Sequence, residues 1–357
     1  MEGEGARASR ITPPFPSTTF PSMVTLATGT YPDRHGIVDN EFRDTQRGEY
    51  VRAADPSWIE AEPLWIAAER QGVRSAVFFW VGSEQDWRGQ GARFRKAPFD
   101  AGVDEATKVD QILAWLDLPP AERPRLIMAW WHGTDHVAHQ KGPDHPDVAA
   151  QLVRQDRQLE RLLAGIDERR AWGSTTLLVV SDHGMTAVEE SVPVRARLAA
   201  AGIEAEVNAG GAVAHVFLAD PSSADAAVRA LQGLEGVAVY RRADLPAGLR
   251  LAHPNRVGDL VLTTMPPRTF AAAAFVESAA SFAGGLLGWK RGMHGFDPSL
   301  PDMGGIFFAL GRGVPHGARI GPVRAIDVAP TVAELLGIAP PADAEGEPIR
   351  FADGFPR

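Results

Sequence analysis

The sequence predicts an α/β fold, a mostly parallel sheet with helices on both faces, carrying a smaller α+β insertion. Two observations point there. Short continuous apolar runs alternate with helical patterns through the first half of the chain, the signature of strands joined by helices. That texture changes near residue 191 and returns from Ile306. The 357 residues, 45% hydrophobic and 23% charged, suit one large globular domain or two.

The elements follow in order. Residues 22–28 predict a short helix with Pro21 in its first turn and Gly29 stopping it. Residues 75–80, 125–131 and 175–181 are short apolar runs, expected to be strands buried on both faces. Between them, residues 104–118 predict a helix with Val109, Ile112, Leu113 and Leu116 on one face. Residues 145–169 predict a second, with Leu152, Val153, Leu159, Leu162, Leu163 and Ile166 at helical spacing. Residues 212–218, 237–242 and 259–265 predict strands of the smaller unit, and 222–234 its helix. A strand over 306–312 and a helix over 327–338 complete the core. The expected organisation is a core of residues 1–190 and 285–357 interrupted by an α+β unit over 191–284.

Composition excludes several functions. Lys+Arg is 36 and Asp+Glu is 45, so the net charge is 36 − 45 = −9, which disfavours nucleic-acid polymers and anionic membrane surfaces as partners. There are no cysteines, which removes disulfides, iron–sulfur clusters, cysteine-ligated zinc and thiol catalysis. No run of about 18 apolar residues predicts a membrane-spanning helix, and the first residues show no secretory leader pattern.

Three histidine clusters follow predicted strands, where α/β folds build sites. They are Asp135 to His139, Ser181-Asp182-His183-Gly184, and Met293-His294-Gly295. Carboxylate and neutral imidazole are ordinary ligands for a borderline cation such as zinc, and a glycine after His183 and after His294 is expected to let backbone approach an ion. Each cluster alone also fits surface pairing or packing; convergence of the loops on one crevice gives them joint meaning. The other seven histidines (His35, His132, His136, His145, His215, His253 and His316) carry no such pattern and are read as surface or packing residues. Near the start, Thr19 falls at the mouth of the predicted helix, where free N–H groups and the dipole favour a phosphate. A helix cap by Thr19 or Ser22 is the alternative.

Taken together these residues resemble the nucleotide pyrophosphatase/phosphodiesterase family of the alkaline phosphatase superfamily. The resemblance runs through TTFPSMVTLATGTYPDRHGIVDNEF, FFWVGSE, Asp135…His139-Gln-Lys-Gly-Pro, VVSDHGM, GMHGFD and the closing GRGVPHG…IDVAPTVAELLGI, in family order. It is weakest over 191–284. It implies Thr19 as nucleophile, Asn40 as a phosphate-oxygen donor and two zinc ions. One ion would take Thr19, Asp182 and His183, plus an aspartate from the family's first strand; the other would take Asp135, His139 and His294. It implies a small nucleotide or phosphodiester substrate, with Phe20 and, less directly, Phe94 lining an apolar slot for the nucleoside. Both phenylalanines could equally be core residues. The resemblance also admits a periplasmic or extracellular setting.

One departure stands out. The residues before Thr19 hold only Glu2 and Glu4 as acids, so this chain is expected to lack the first-strand aspartate and a central strand. The resemblance therefore leaves two other outcomes open: a phosphonoacetate hydrolase-like or phosphomonoesterase activity on the same metal core, or an inactive, truncated binding module.

Overall fold

The computed structural model describes residues 3–270 and 291–351. The expected boundary at 284/285 and Glu2 lie outside the described residues. The fold is mixed α/β. In one core sheet Ser75–Phe78 is central and pairs in parallel with both Phe94–Lys96 and Leu126–Ala129. A second sheet has Ala6–Ala8 between Ala318–Ile320, in parallel, and Phe307–Gly311, antiparallel; the latter pairs antiparallel with Thr176–Val180. The described ladders thus give a parallel sheet and a mixed sheet in place of one continuous, mostly parallel sheet. Leu126–Ala129 and Thr176–Val180 are the edge strands of these two ladders among the described residues.

That break also changes one expectation about burial. Ser75–Phe78 is buried at every position, as its apolar run predicts, but Thr176–Val180 is half-exposed throughout because one flank carries no described strand. The predicted helices form over Glu105–Leu116 and Pro146–Glu168. Asp104 caps the first, its carboxylate accepting from Thr107 N–H at 2.8 Å. In the second, Leu162, Gly165 and Ile166 face the core, whereas Leu152 and Val153 are about half exposed (52% and 51%). Val148 in its first turn is buried, so the apolar stripe is covered at both ends and open to solvent around Leu152 and Val153. The third predicted helix is Ala224–Leu231, and the last is Val328–Leu336.

Residues 205–264 build a four-stranded antiparallel sheet, in the order Ala205–Ala209, Val213–Leu218, Leu260–Thr264, Val237–Arg241. Ala214, Val216, Leu218, Leu260 and Leu262 pack on one face against Ala227 and Leu231. Val213 and Val261 join the main core on the other, so both faces of Val213–Leu218 are buried. A buried ion pair fastens this unit to the rest: Arg256 Nε donates to Asp44 at 2.9 Å, both side chains 3% exposed. Arg256 also donates to the carbonyls of Gly36 and Trp58. No described helix is long and apolar enough to cross a membrane.

Candidate metal centre

The helix near the start spans Thr19–Thr28, three residues longer than its predicted start. Gly29 ends it in the left-handed region (φ 73°), where its N–H donates to Thr25 O. Thr19 is the first helical residue. The capping expectation is not met: Thr18 is the N-cap, without a side-chain cap bond, and Ser22 Oγ is buried without a partner.

Strand ends deliver the other groups. The helix Gly133–Lys141 starts four residues after Leu126–Ala129, and its Asp135 and His139 share one face at i,i+4 spacing. Asp182 and His183 follow Thr176–Val180. His294 follows Arg291–Met293, which pairs antiparallel with Thr186–Val188 and so brings His294 back beside His183. The His183 and His294 rings stack with centroids 3.8 Å apart. Ser17 O accepts from Gly295 N–H at 3.0 Å, while Ser17 Oγ donates to Phe296 O at 2.8 Å; these bonds sew the Thr19 turn to the His294 loop.

The hydrogen-bond pattern fixes the ring nitrogens. His139 Nδ1 lies 3.0 Å from Gly292 O, His183 Nδ1 2.8 Å from Gly184 O, and His294 Nδ1 3.1 Å from Ser17 O. A carbonyl only accepts, so each Nδ1 carries hydrogen and a neutral ring leaves Nε2 as a bare lone pair. Those lone pairs converge: His139 Nε2 is 3.0 Å from His294 Nε2. Asp135 Oδ1, buried and without a hydrogen-bond partner, lies 3.4 Å from His139 Nε2 and 3.8 Å from His294 Nε2. Thr19 Oγ1 lies 3.1 Å from His183 Nε2 and Asp182 Oδ2 3.3 Å from it. The Thr19 hydroxyl can donate to His183 Nε2, but the carboxylate oxygens and the His139 and His294 Nε2 atoms are acceptors facing acceptors, which repel unless a cation lies among them; carbonyl-tethered imidazoles are the usual outer support of metal ligands. The donor set therefore fits a metal. The ligand atoms of Asp135, His183 and His294 also all lie within 4.8 Å of one another, close enough to hold one ion.

Burial, then the neighbouring charges of His183 and His139, push the pKa of His294 well below the ordinary imidazole value. Loss of water raises that of the Asp182 carboxyl. Both shifts disfavour charge on the groups themselves, and a cation would reverse the sign for Asp182.

Asn40 Oδ1 accepts from Phe20 N–H at 2.8 Å. One N–H of the helix mouth is thus engaged, and the same bond turns the Asn40 side chain toward the Thr19 turn, where its Nδ2 hydrogens are donors. Phe20 packs edge-on to Tyr50 at 6.2 Å next to this turn. Phe94 sits elsewhere, against Trp115 at 6.4 Å in a separate core cluster. The glycines after the histidines serve packing: a Cβ on Gly184 would fall 2.0 Å from Asp302 O, and Gly295 adopts φ 95° with Thr18 Cγ2 2.9 Å from its Cβ position. His35 and His215 are packing residues, both fully buried. Sequence reasoning missed Asp39 and the carbonyls of Ser17, Gly184 and Gly292. Carbonyls leave no residue signature; Asp39 was legible only as the neighbour of Asn40.

Fold and cluster together define an α/β protein with a metal-competent centre at its strand ends. The family model for type I phosphodiesterase/nucleotide pyrophosphatase matches residues 1–297, and the chain belongs to that family of hydrolases. It is 29% identical over 344 residues to an uncharacterized pyrophosphatase/phosphodiesterase of Schizosaccharomyces pombe, covering 91% of this chain and 69% of that protein. It is 25% identical over 362 residues to human ectonucleotide pyrophosphatase/phosphodiesterase family member 1, covering 94% of this chain and 37% of that one. The chain thus spans about two-thirds of the yeast relative and well under half of the human one. Murine ectonucleotide pyrophosphatase/phosphodiesterase 5 shares the fold, with a TM-score of 0.84 at 22% identity over 95% of this chain and 89% of that one. An inactive threonine-to-alanine form of that murine protein is solved in complex with AMP, with a TM-score of 0.83 at 22% identity over 95% of this chain and 88% of that one.

Proposed function

We propose that this chain hydrolyses phosphodiester or pyrophosphate bonds of nucleotides, with Thr19 as nucleophile and zinc as cofactor. The observation that carries the reading is the convergence of three imidazole Nε2 atoms, a buried Asp135 oxygen that accepts no hydrogen bond, and the Thr19 hydroxyl. Asp135, His139 and His294 would hold one ion, and Thr19, Asp182 and His183 the other. Bound zinc supplies Lewis acidity that favours the alkoxide form of a hydroxyl and offsets charge on phosphoryl oxygens. Thr19 Oγ1 attacks phosphorus in line, the ester or anhydride oxygen leaves with the electron pair of its bond, and a phosphothreonine forms. Water then attacks phosphorus, the Thr19 oxygen leaves, and the hydroxyl is restored. Asn40 Nδ2 donates to a phosphoryl oxygen as charge builds there. Phe20, backed by the buried Tyr50, offers an aromatic face for a nucleoside, and the AMP complex of the murine protein supports a nucleotide substrate. Phe94 is kept as a slot residue only in the sense of the resemblance.

We also read the two core sheets as parts of one mostly parallel sheet, because the open edges of Leu126–Ala129 and Thr176–Val180 both lead into the cluster, and residues 191–284 as an insertion in it. The test is hydrolysis of an aryl diester of thymidine 5′-monophosphate. Activity is expected to disappear on chelation, return with zinc, and be absent in Thr19→Ala. A fully active Thr19→Ala would overturn the nucleophile. Rates on matched diester, monoester and phosphonate substrates are expected to rank diester first.

A further inference from the structure

We propose that Asp39 is a positioning residue that clamps the Thr18–Thr19 turn to Asn40, with the Gly210-Gly211 tip of the antiparallel unit closing the clamp from behind. The inference rests on the reading of Thr19 as nucleophile.

Asp39 is 3% exposed. Its Oδ1 accepts from Thr18 Oγ1 at 3.2 Å and from Asn40 N–H at 2.7 Å. One carboxylate oxygen thereby joins the residue before the nucleophile to the residue that faces phosphate. Asn40 closes the other side by accepting from Phe20 N–H. Thr19 is held between two bonds made by consecutive residues, Asp39 on Thr18 and Asn40 on Phe20. A helix N-cap hydroxyl usually turns inward to its own helix; Thr18 makes no such bond, and its hydroxyl is committed to Asp39 instead.

The backing comes from another part of the fold. Residues 210 and 211 form the turn between Ala205–Ala209 and Val213–Leu218. A Cβ on Gly210 would lie 2.5 Å from Asp39 Oδ2, and one on Gly211 would lie 2.2 Å from His294 O. Only bare backbone fits between Asp39 and the His294 loop. Gly211 O accepts from Phe270 N–H at 2.9 Å and Thr269 Oγ1 at 2.6 Å, so the tip is fixed on its far side. Burial raises the Asp39 pKa to about 6, although the bonds from Asn40 N–H and Thr18 Oγ1 favour its charged form.

The test compares Asp39→Ala, Asp39→Asn, Thr18→Val, the Asp39→Ala/Thr18→Val pair and Gly210→Ala, on the same aryl diester. Bound zinc and the thermal midpoint are measured alongside. A nucleophile misplaced by about 1 Å costs on the order of a hundredfold in rate. Asp39→Ala is expected to lose about that in kcat, with KM within about threefold and zinc content unchanged. Asp39→Asn keeps an acceptor oxygen and is expected to recover most of the loss. Thr18→Val added to Asp39→Ala is expected to cost little more than Asp39→Ala alone. Gly210→Ala, outside the chemistry, is expected to lower kcat in the same sense. Wild-type kcat in Asp39→Ala beside an inactive Thr19→Ala would overturn the clamp alone, as would independent multiplication of the Asp39 and Thr18 losses. An active Thr19→Ala would overturn the nucleophile and the clamp with it.

Discussion

Thr19, Asp135, His139, Asp182, His183 and His294 form one contiguous group, though the chain spreads them over 276 positions, from 19 to 294. The geometry separates their contributions. Removing His139 or His294 takes away one Nε2 of the shared 3.0 Å contact, so His139→Ala and His294→Ala are expected to lose zinc and activity together. Equilibrium dialysis is expected to give two zinc ions per wild-type chain and one in either variant; a single ion in wild type would reduce the centre to one site, for which Asp135, His183 and His294 lie within 4.8 Å of one another. Burial lowers the pKa of His215 to about 4. The folded state then resists protonation while the unfolded chain takes up a proton below about 6.5. That stability is present above pH 6.5 and is lost as pH falls toward 4. Comparing wild type with His215→Gln isolates the term from Asp39, whose raised pKa acts with the opposite sign. The difference in unfolding free energy is expected to shrink by about 1.4 kcal/mol per pH unit across that window.

Elements set where those residues can go. The Thr19–Thr28 helix is stopped by Gly29 in the left-handed region, with Ile326 O 3.3 Å from its Cβ position. Gly29→Ala meets both the backbone penalty and that contact, and is expected to cost about 1–2 kcal/mol in denaturant unfolding. Leu152 and Val153 give the opposite expectation. Helical spacing places them on the apolar stripe, but solvent meets them, so Leu152→Lys is expected to change stability by less than about 0.5 kcal/mol. The pattern of an isolated helix does not state which of its turns a partner covers.

At the scale of the molecule, the antiparallel unit meets the rest through apolar packing at Val213, Val257 and Val261 and through a few polar fasteners. Arg256 carries the main one, reaching Asp44, Glu60 and two carbonyls while its guanidinium lies over the Phe42 and Trp58 rings. Arg256→Met would leave Asp44 buried without its cation, at an expected cost of about 3–5 kcal/mol. Urea unfolding is the measurement; a change within about 1 kcal/mol would show that Asp44 finds water instead. Arg43 bonded to Glu206, on the partly exposed surface, is expected to matter far less.

Local chemistry is what the sequence by itself determined. Apolar runs, helical periodicity, Gly29 as a stop and the strand-end position of each histidine cluster depend on neighbours within a few residues, and these were legible. The resemblance named the six candidate ligands and Asn40 because motif order survives in the chain. Tertiary structure decided everything that depends on what lies across a gap: the antiparallel pairing of Phe307–Gly311 with Thr176–Val180, the half-exposure of that strand, and the tautomers set by three carbonyls. It also decided that Phe94 packs on Trp115 and that Gly210 abuts Asp39. The physical reason is the same in each case. Propensity and periodicity are properties of one segment, whereas hydrogen-bond partners, burial and charge are properties of a pair, and the second member lies far away in the chain.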